Sequence, residues 1–290
     1  MNRALNWLSR RSLRLLHVVG GLLGWAVYLL SPSYRQRLRA HAALAGVSAA
    51  DRRASVAEAG HMVMELPRLW LRPREQDIAD PVHWHGTELI ETLMAQDRGL
   101  LLLTPHLGSF EVAAQAYAQR YGAQRPITVL YRPARKRWLH ELEMTARARP
   151  ALATAPATLA GVRQLIRALR RGETVGMLPD QVPPDGMGVW APFFGKPAYT
   201  MTLAARLVQQ TGCAVCLIWA ARLPRGGGYS LQLRPLAEPL PARERMDEAA
   251  WTLAAATAVN LSMEAVIAQM PTQYLWGYHR YKSPRQVPSS

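Results

Sequence analysis

Lysine is nearly absent from this 290-residue chain: Lys136, Lys196 and Lys282 are the only three, against 32 arginines. Acidic residues are also scarce, at 20 to 35 basic ones, which leaves a formal charge of +15. Arginine forks pair bidentately with phosphates and carboxylates, so anionic lipid, an acidic carrier protein and nucleic acid all suit that charge. No helix-turn-helix, zinc-finger or aromatic RNA-binding signature is present, which argues against nucleic acid. Only two cysteines occur, Cys213 and Cys216, within the apolar run CAVCLIWA. Residues three apart on a strand face opposite ways, so they make a poor redox pair, and no second cysteine pair completes a zinc site. Both read as buried thiols. Low-complexity tracts, repeats and an interdomain linker are lacking too. Nearly half the residues are hydrophobic, so a large single core is expected.

One long apolar run is present. LRLLHVVGGLLGWAVYLL, Leu13 to Leu30, is about 27 Å long as a helix, marginal against a hydrocarbon core of about 30 Å. Arginines flank both ends, so the positive-inside rule gives no orientation. The following SPSYRQ is a poor signal-peptide cut site, and a plain core helix is the bland alternative. The reading adopted is a retained anchor over residues 1–32 that spans the membrane or lies in its interface, followed by one catalytic domain over 33–290. MVMELPRLWL, Met62 to Leu71, either extends that membrane face or is ordinary core.

Beyond the anchor, helical periodicity covers 34–46 and 51–71. Apolar runs at 100–104, 127–131, 174–178 and 214–220 then read as strands, and an alternating run from Tyr229 reads as an edge strand. Helical patterns separate them over 110–121, 133–147, 159–171 and 200–210, and a long helix covers 246–270. This alternation predicts an α/β fold with a largely parallel central sheet flanked by helices. Ligands in such sheets gather past the carboxyl ends of the strands, and His106, Arg132 and Asp180 each follow such an end.

The stretch LLLLTPHLGSFE carries the chemistry. In an unbroken helix His106 and Glu111 would stand about 140° apart. Pro105 and Gly108 instead predict a turn holding His106, with Ser109 as N-cap and Glu111 in the first helical turn. That carboxylate can then fold back on the imidazole and orient it, as the acid of a hydrolytic triad does. A structural histidine beside a dipole-complementing glutamate is the plain alternative. No G-x-S-x-G elbow supplies a protein nucleophile, so the histidine suits a general base acting on a substrate hydroxyl. Acyl transfer to an alcohol needs little besides a base, an activated donor and oxyanion contacts.

HLGSFE resembles the H-x4-D/E motif of glycerolipid acyltransferases, and more closely the H-x-G-N-W-E form in the lipid A late acyltransferases of Gram-negative bacteria. The likeness continues, in family order, through YRP at 131–133, TARARP at 145–150, PDQ at 179–181, PFFGKPA at 192–198 and QYLWGYHRYK from Gln273. The resemblance implies a glycerolipid-acyltransferase-like fold and an inner-membrane enzyme with its catalytic domain on the cytoplasmic face. It implies transfer of a fatty acyl chain from acyl carrier protein to a hydroxyl of a lipid A precursor. His106 would be the base and Glu111 its acidic partner. Arg147, or else Arg149, matches an arginine of the second block, and Asp180 an acid of the third. With Arg132 and Gln181 these would contact the anionic acceptor, and no metal or organic cofactor is expected. Ser109 and Phe110 replace the family's Asn-Trp, and Gly277-Tyr278 precede His279, which leaves a lysophospholipid or aminolipid acceptor open. Two rivals stand outside the family: a metal-dependent hydrolase using His83, His85 and His106, and a non-catalytic membrane-bound scaffold.

Overall fold

The computed structural model describes residues 3–132, 143, 146, 149–244 and 246–286. The helix expected over 133–147 therefore lies almost wholly outside the described residues. Four helices open the chain: α1 (Arg3–Ser9), α2 (Leu13–Leu30), α3 (Pro32–Leu44) and α4 (Ala49–Trp70). The apolar run forms α2 with the bounds read from sequence; Ser12 caps it by accepting from the Leu15 amide.

α2 packs lengthwise on α4. Gly20 and Gly24 meet Gly60 so closely that a Cβ on any of them would run into the facing backbone. This is the small-residue packing that lets two helices touch along their axes. The opposite face of α2 is bare and apolar: Val18, Leu22, Leu29 and Leu30 are each at least 60% exposed. Helix α4 resolves the two readings of Met62–Leu71 in part: Leu69 is core and Val63 is exposed.

A cluster of ionisable groups, buried at His17, Glu65 and Arg222 and partly exposed at Glu58 and His61, crosses the α2–α4 seam. Arg222 lies between Glu58, at 2.9 Å, and Glu65, at 3.4 Å. His17 stands 3.6 Å from Glu65, His61 stands 3.3 Å from Glu58, and the two imidazoles stack.

The rest of the chain is built on a seven-stranded sheet in the order β1-β9-β8-β2-β5-β3-β4. The strands are β1 (Val82–His85), β2 (Leu100–Leu103), β3 (Ile127–Tyr131), β4 (Leu152–Pro156), β5 (Thr174–Met177), β8 (Ala214–Arg222) and β9 (Tyr229–Arg234). β8, β2, β5, β3 and β4 run parallel, and the β9–β1 pair runs against them. Strand β9 is therefore not the edge its alternating pattern suggested. β1 covers it, and β1 is too short and polar to read as a strand. β4 was missed for a similar reason, because LATAP carries one large apolar residue.

The central leucines are buried on both faces, as a strand between two helix layers must be. Leu101 and Leu103 pack with α7 (Leu159–Arg170), α8 (Leu203–Thr211) and α9 (Glu248–Gln269). Leu100 and Leu102 face α5 (Thr87–Met94) and α6 (Phe110–Tyr121). Both cysteines are buried and free, and burial pushes the Cys216 thiol up to about 12. The start expected for α8 at Thr200 falls instead within a separate hairpin, β6 (Gly188–Phe193) and β7 (Lys196–Met201). Its tight turn places Phe194 and Gly195 in the left-handed region.

Candidate active site

Strand register explains why His106 and Asp180 meet. Leu103 pairs with Met177 across β2 and β5, and each residue lies three positions further along its own strand. At that offset the Asp180 carboxylate takes two hydrogen bonds from His106, from the backbone amide at 2.8 Å and from Nδ1 at 2.6 Å. The turn between requires Gly108, whose φ is +58 and whose Cβ position is filled by the Ala220 carbonyl.

Asp180 is 2% exposed. Burial alone would raise its pKa, but the imidazole, the two bonds from His106 and the Arg280 charge hold it below the ordinary carboxylate value. The buried Tyr274 hydroxyl also bonds toward it; burial, then that negative charge, push the tyrosine pKa well up. Arg280 is buried behind this pair, donating to the Tyr199 carbonyl and to Thr200 Oγ1, both at 2.8 Å.

With Nδ1–H donating to Asp180, Nε2 keeps its lone pair, and the Gln181 amide donates to it at 2.9 Å. Both ring nitrogens are thus matched, and neither by Glu111. The expectation that Glu111 holds the imidazole is revised on this point: Asp180, expected to bind the acceptor, occupies the orienting position. The reason is geometric. Strand register places Asp180 beside Nδ1, while Glu111 sits on α6, one element further along the chain. Ser109 does occupy the N-cap of α6, but its hydroxyl makes no cap bond.

His106, Phe110, Glu111 and Gln181 form one end of a cavity of about 600 Å³. It crosses the sheet rim past Leu130, Arg132 and Leu178, then runs between α7 and α8 along Val162, Met201 and Leu203. Leu159 and Met187 stand exposed at its mouth. The wall is mostly apolar but also carries Glu143, Thr158, Thr202 and Arg206, a mixture that suits an acyl chain with a polar or charged head.

Of the other expected residues, Arg132 lines the cavity and Arg147 lies outside the described residues. Arg149 is engaged elsewhere. Its guanidinium donates to the carbonyls of Leu69, at 2.8 Å, and Pro73, at 3.1 Å, closing the C-terminal end of α4. Burial and then Arg74 lower its pKa, while the nearby Glu111 favours its charge.

Sequence reasoning assigned no roles within the C-terminal segment. Gln273 accepts from the Gly108 amide at 3.0 Å, Leu275 donates to the His106 carbonyl at 3.1 Å, and the Tyr278 hydroxyl accepts from Val182 at 2.9 Å. These residues clamp both active-site turns. Their sequence signal was the QYLWGYHRYK block itself, which carried a resemblance but no role for any one residue. His83 and His85 lie exposed on β1, at the far sheet edge. Among the described residues no group of three or more His, Cys, Asp or Glu side chains converges as metal ligands would.

Over 232 residues the chain is 29% identical to the lipid A biosynthesis lauroyltransferase of Escherichia coli K12, covering 79% of this chain and 71% of that protein. Over 241 residues it is 25% identical to the palmitoleoyltransferase of lipid A biosynthesis from the same organism, covering 81% and 74%. A lipid A biosynthesis acyltransferase of Shigella flexneri matches to the same extent. Residues 13–283 match the family described as bacterial lipid A biosynthesis acyltransferase, and with almost the whole chain inside that match, the protein belongs to this acyltransferase family.

Proposed function

We propose that this protein moves a fatty acyl chain from acyl carrier protein to a hydroxyl of a lipid A precursor, with His106 as general base. The observation that carries the proposal is the state of the imidazole: Nδ1 fixed by a buried carboxylate, Nε2 turned to a mostly apolar cavity and holding a single displaceable amide. The Gln181 amide marks where the acceptor hydroxyl would sit. Once the hydroxyl replaces it, Nε2 takes the proton as the oxygen attacks the thioester carbonyl. Asp180 stabilises the resulting imidazolium, which returns the proton to the departing thiolate. No metal or organic cofactor enters these steps. Glu111 acts in the proposal from the cavity wall, on the acceptor side, rather than at Nδ1.

The apolar face of α2 and the excess arginine support a position on the bacterial inner membrane, with residues 1–32 as anchor and the catalytic domain on the cytoplasmic side. The same positive field supports an acidic carrier protein as donor and an anionic lipid as acceptor, with Arg132 in reach of the acceptor.

The test uses purified full-length protein, radiolabelled acyl carrier thioester and a lipid A precursor, with product identified by mass spectrometry. Acylated lipid A from wild type, and none above background from His106→Ala, is the expected result. No product with any hydroxylated lipid acceptor overturns the proposal, and His106→Ala retaining full cellular function favours the scaffold.

A further inference from the structure

A second cavity, of about 410 Å³, lies away from the catalytic chamber, between the end of α1 and the C-terminal end of α4. Its polar wall comes from Asn6, Ser9, Arg10, Arg68, Arg72 and Gln76. Among the described residues Asp80 is its one acid, and that charge is consumed: Arg68 grips it with Nε at 2.7 Å and Nη2 at 3.1 Å. Two guanidiniums, Arg10 and Arg72, are left in the wall without a carboxylate there.

Arg72 cannot swing away to find one. Its Nη1 donates to Gln115 Oε1 at 2.6 Å and to the Leu69 carbonyl at 2.7 Å, its Nε donates to the Gln76 carbonyl, and its Nη2 is buried without a partner. Burial, then the like charge of Arg149, lower its pKa to about 10, and Asp77 offsets only part of this. A fixed, partly desolvated cation beside a second arginine is costly unless an anion completes it.

We infer that this cavity binds a phosphate group, with the exposed Arg10 as its donor and Arg72 as its fixed field. Location indicates the source. Arg10 lies two residues before Ser12, the cap of α2, whose outward face is apolar. When that face meets a bilayer, the cavity stands near head-group level, where phospholipid phosphates are found. A phosphate bound there would pin the leading end of the anchor. Free phosphate is the other source of the same chemistry. This site is independent of the proposed catalysis, and it stands whether or not His106 is the base.

The experiment measures equilibrium binding to full-length protein in neutral detergent. The probes are dioctanoyl phosphatidylglycerol, inorganic phosphate, and dioctanoylglycerol, which lacks phosphate. Arg10→Glu is compared with Arg53→Glu, the same charge change on the exposed N-terminal part of α4. The expected result is saturable phosphatidylglycerol binding, weakened about tenfold or more by Arg10→Glu and less than about twofold by Arg53→Glu. Inorganic phosphate bound with the same Arg10 dependence would support the site and assign it to free phosphate; its failure beside lipid binding would assign the site to a head group. Equal weakening by the two variants, no weakening by Arg10→Glu, or equal binding of dioctanoylglycerol overturns the inference.

Discussion

The sheet rim and the α2–α4 seam both bury charge, and they do so with opposite outcomes. The seam is the richer in titratable groups: Glu58, Glu65, His17, His61 and Arg222 meet there, with Tyr229 Oη 3.3 Å from Glu65. None of these residues lines the catalytic cavity. At the rim a single His–Asp pair leaves one ring nitrogen facing 600 Å³ of space. A buried ionic cluster therefore marks a site for chemistry only where one of its atoms has an open approach. Glu58 and His61 are themselves about a fifth exposed, so what sets the rim apart is its cavity rather than contact with solvent.

The sharpest way to break that contrast is to neutralise one acid in each region. Asp180→Asn removes the charge that steadies His106 and should lower kcat by about 10³–10⁴-fold, by analogy with the triad acid. Circular dichroism should show the fold retained. Glu58→Gln should leave kcat within a few fold, and the reverse order of effects would erase the distinction.

A steric test of the seam comes next. Gly60→Leu would drive a side chain into the Gly20 backbone. The expected loss is about 3 kcal/mol, at the upper end of overpacking penalties, read as a lower denaturant midpoint with early proteolysis near α2. An unchanged midpoint would mean that α2 is not held by this contact.

The smallest expected effect depends on acid. Burial alone would raise the pKa of Glu58, but His61 and Arg222 bring it down to about 2 from an ordinary 4.5. A folded pKa below the unfolded one contributes stability that is full above pH 4.5 and lost as pH falls through about 2. The shift corresponds to at most about 3 kcal/mol. Denaturant titrations between pH 5 and 2 should show that decline in wild type and a flatter one in Glu58→Gln.

The legible parts of the fold were those with a continuous apolar run: α2, α9 and strands β2, β3, β5 and β8 carry it in their own residues. β1 and β4 do not, because short edge strands need little apolar surface and take their place from a neighbour. His106, Asp180 and Arg132 were placed on one rim by their position after strand ends. The partnership of His106 with Asp180 was not legible, since it depends on β2 and β5 being adjacent and in register, and sequence gives no strand order. Glu111 drew attention by its nearness along the chain, a poor guide when neighbouring strands are far apart in sequence.

The clamp made by Gln273, Leu275 and Tyr278 has a consequence for biosynthesis. A ribosome completes β2 and β5 well before it reaches these residues, so a partly made chain has its histidine and aspartate without the braces that fix their turns. The braces that fix both turns are thus the last part of the candidate site to be made.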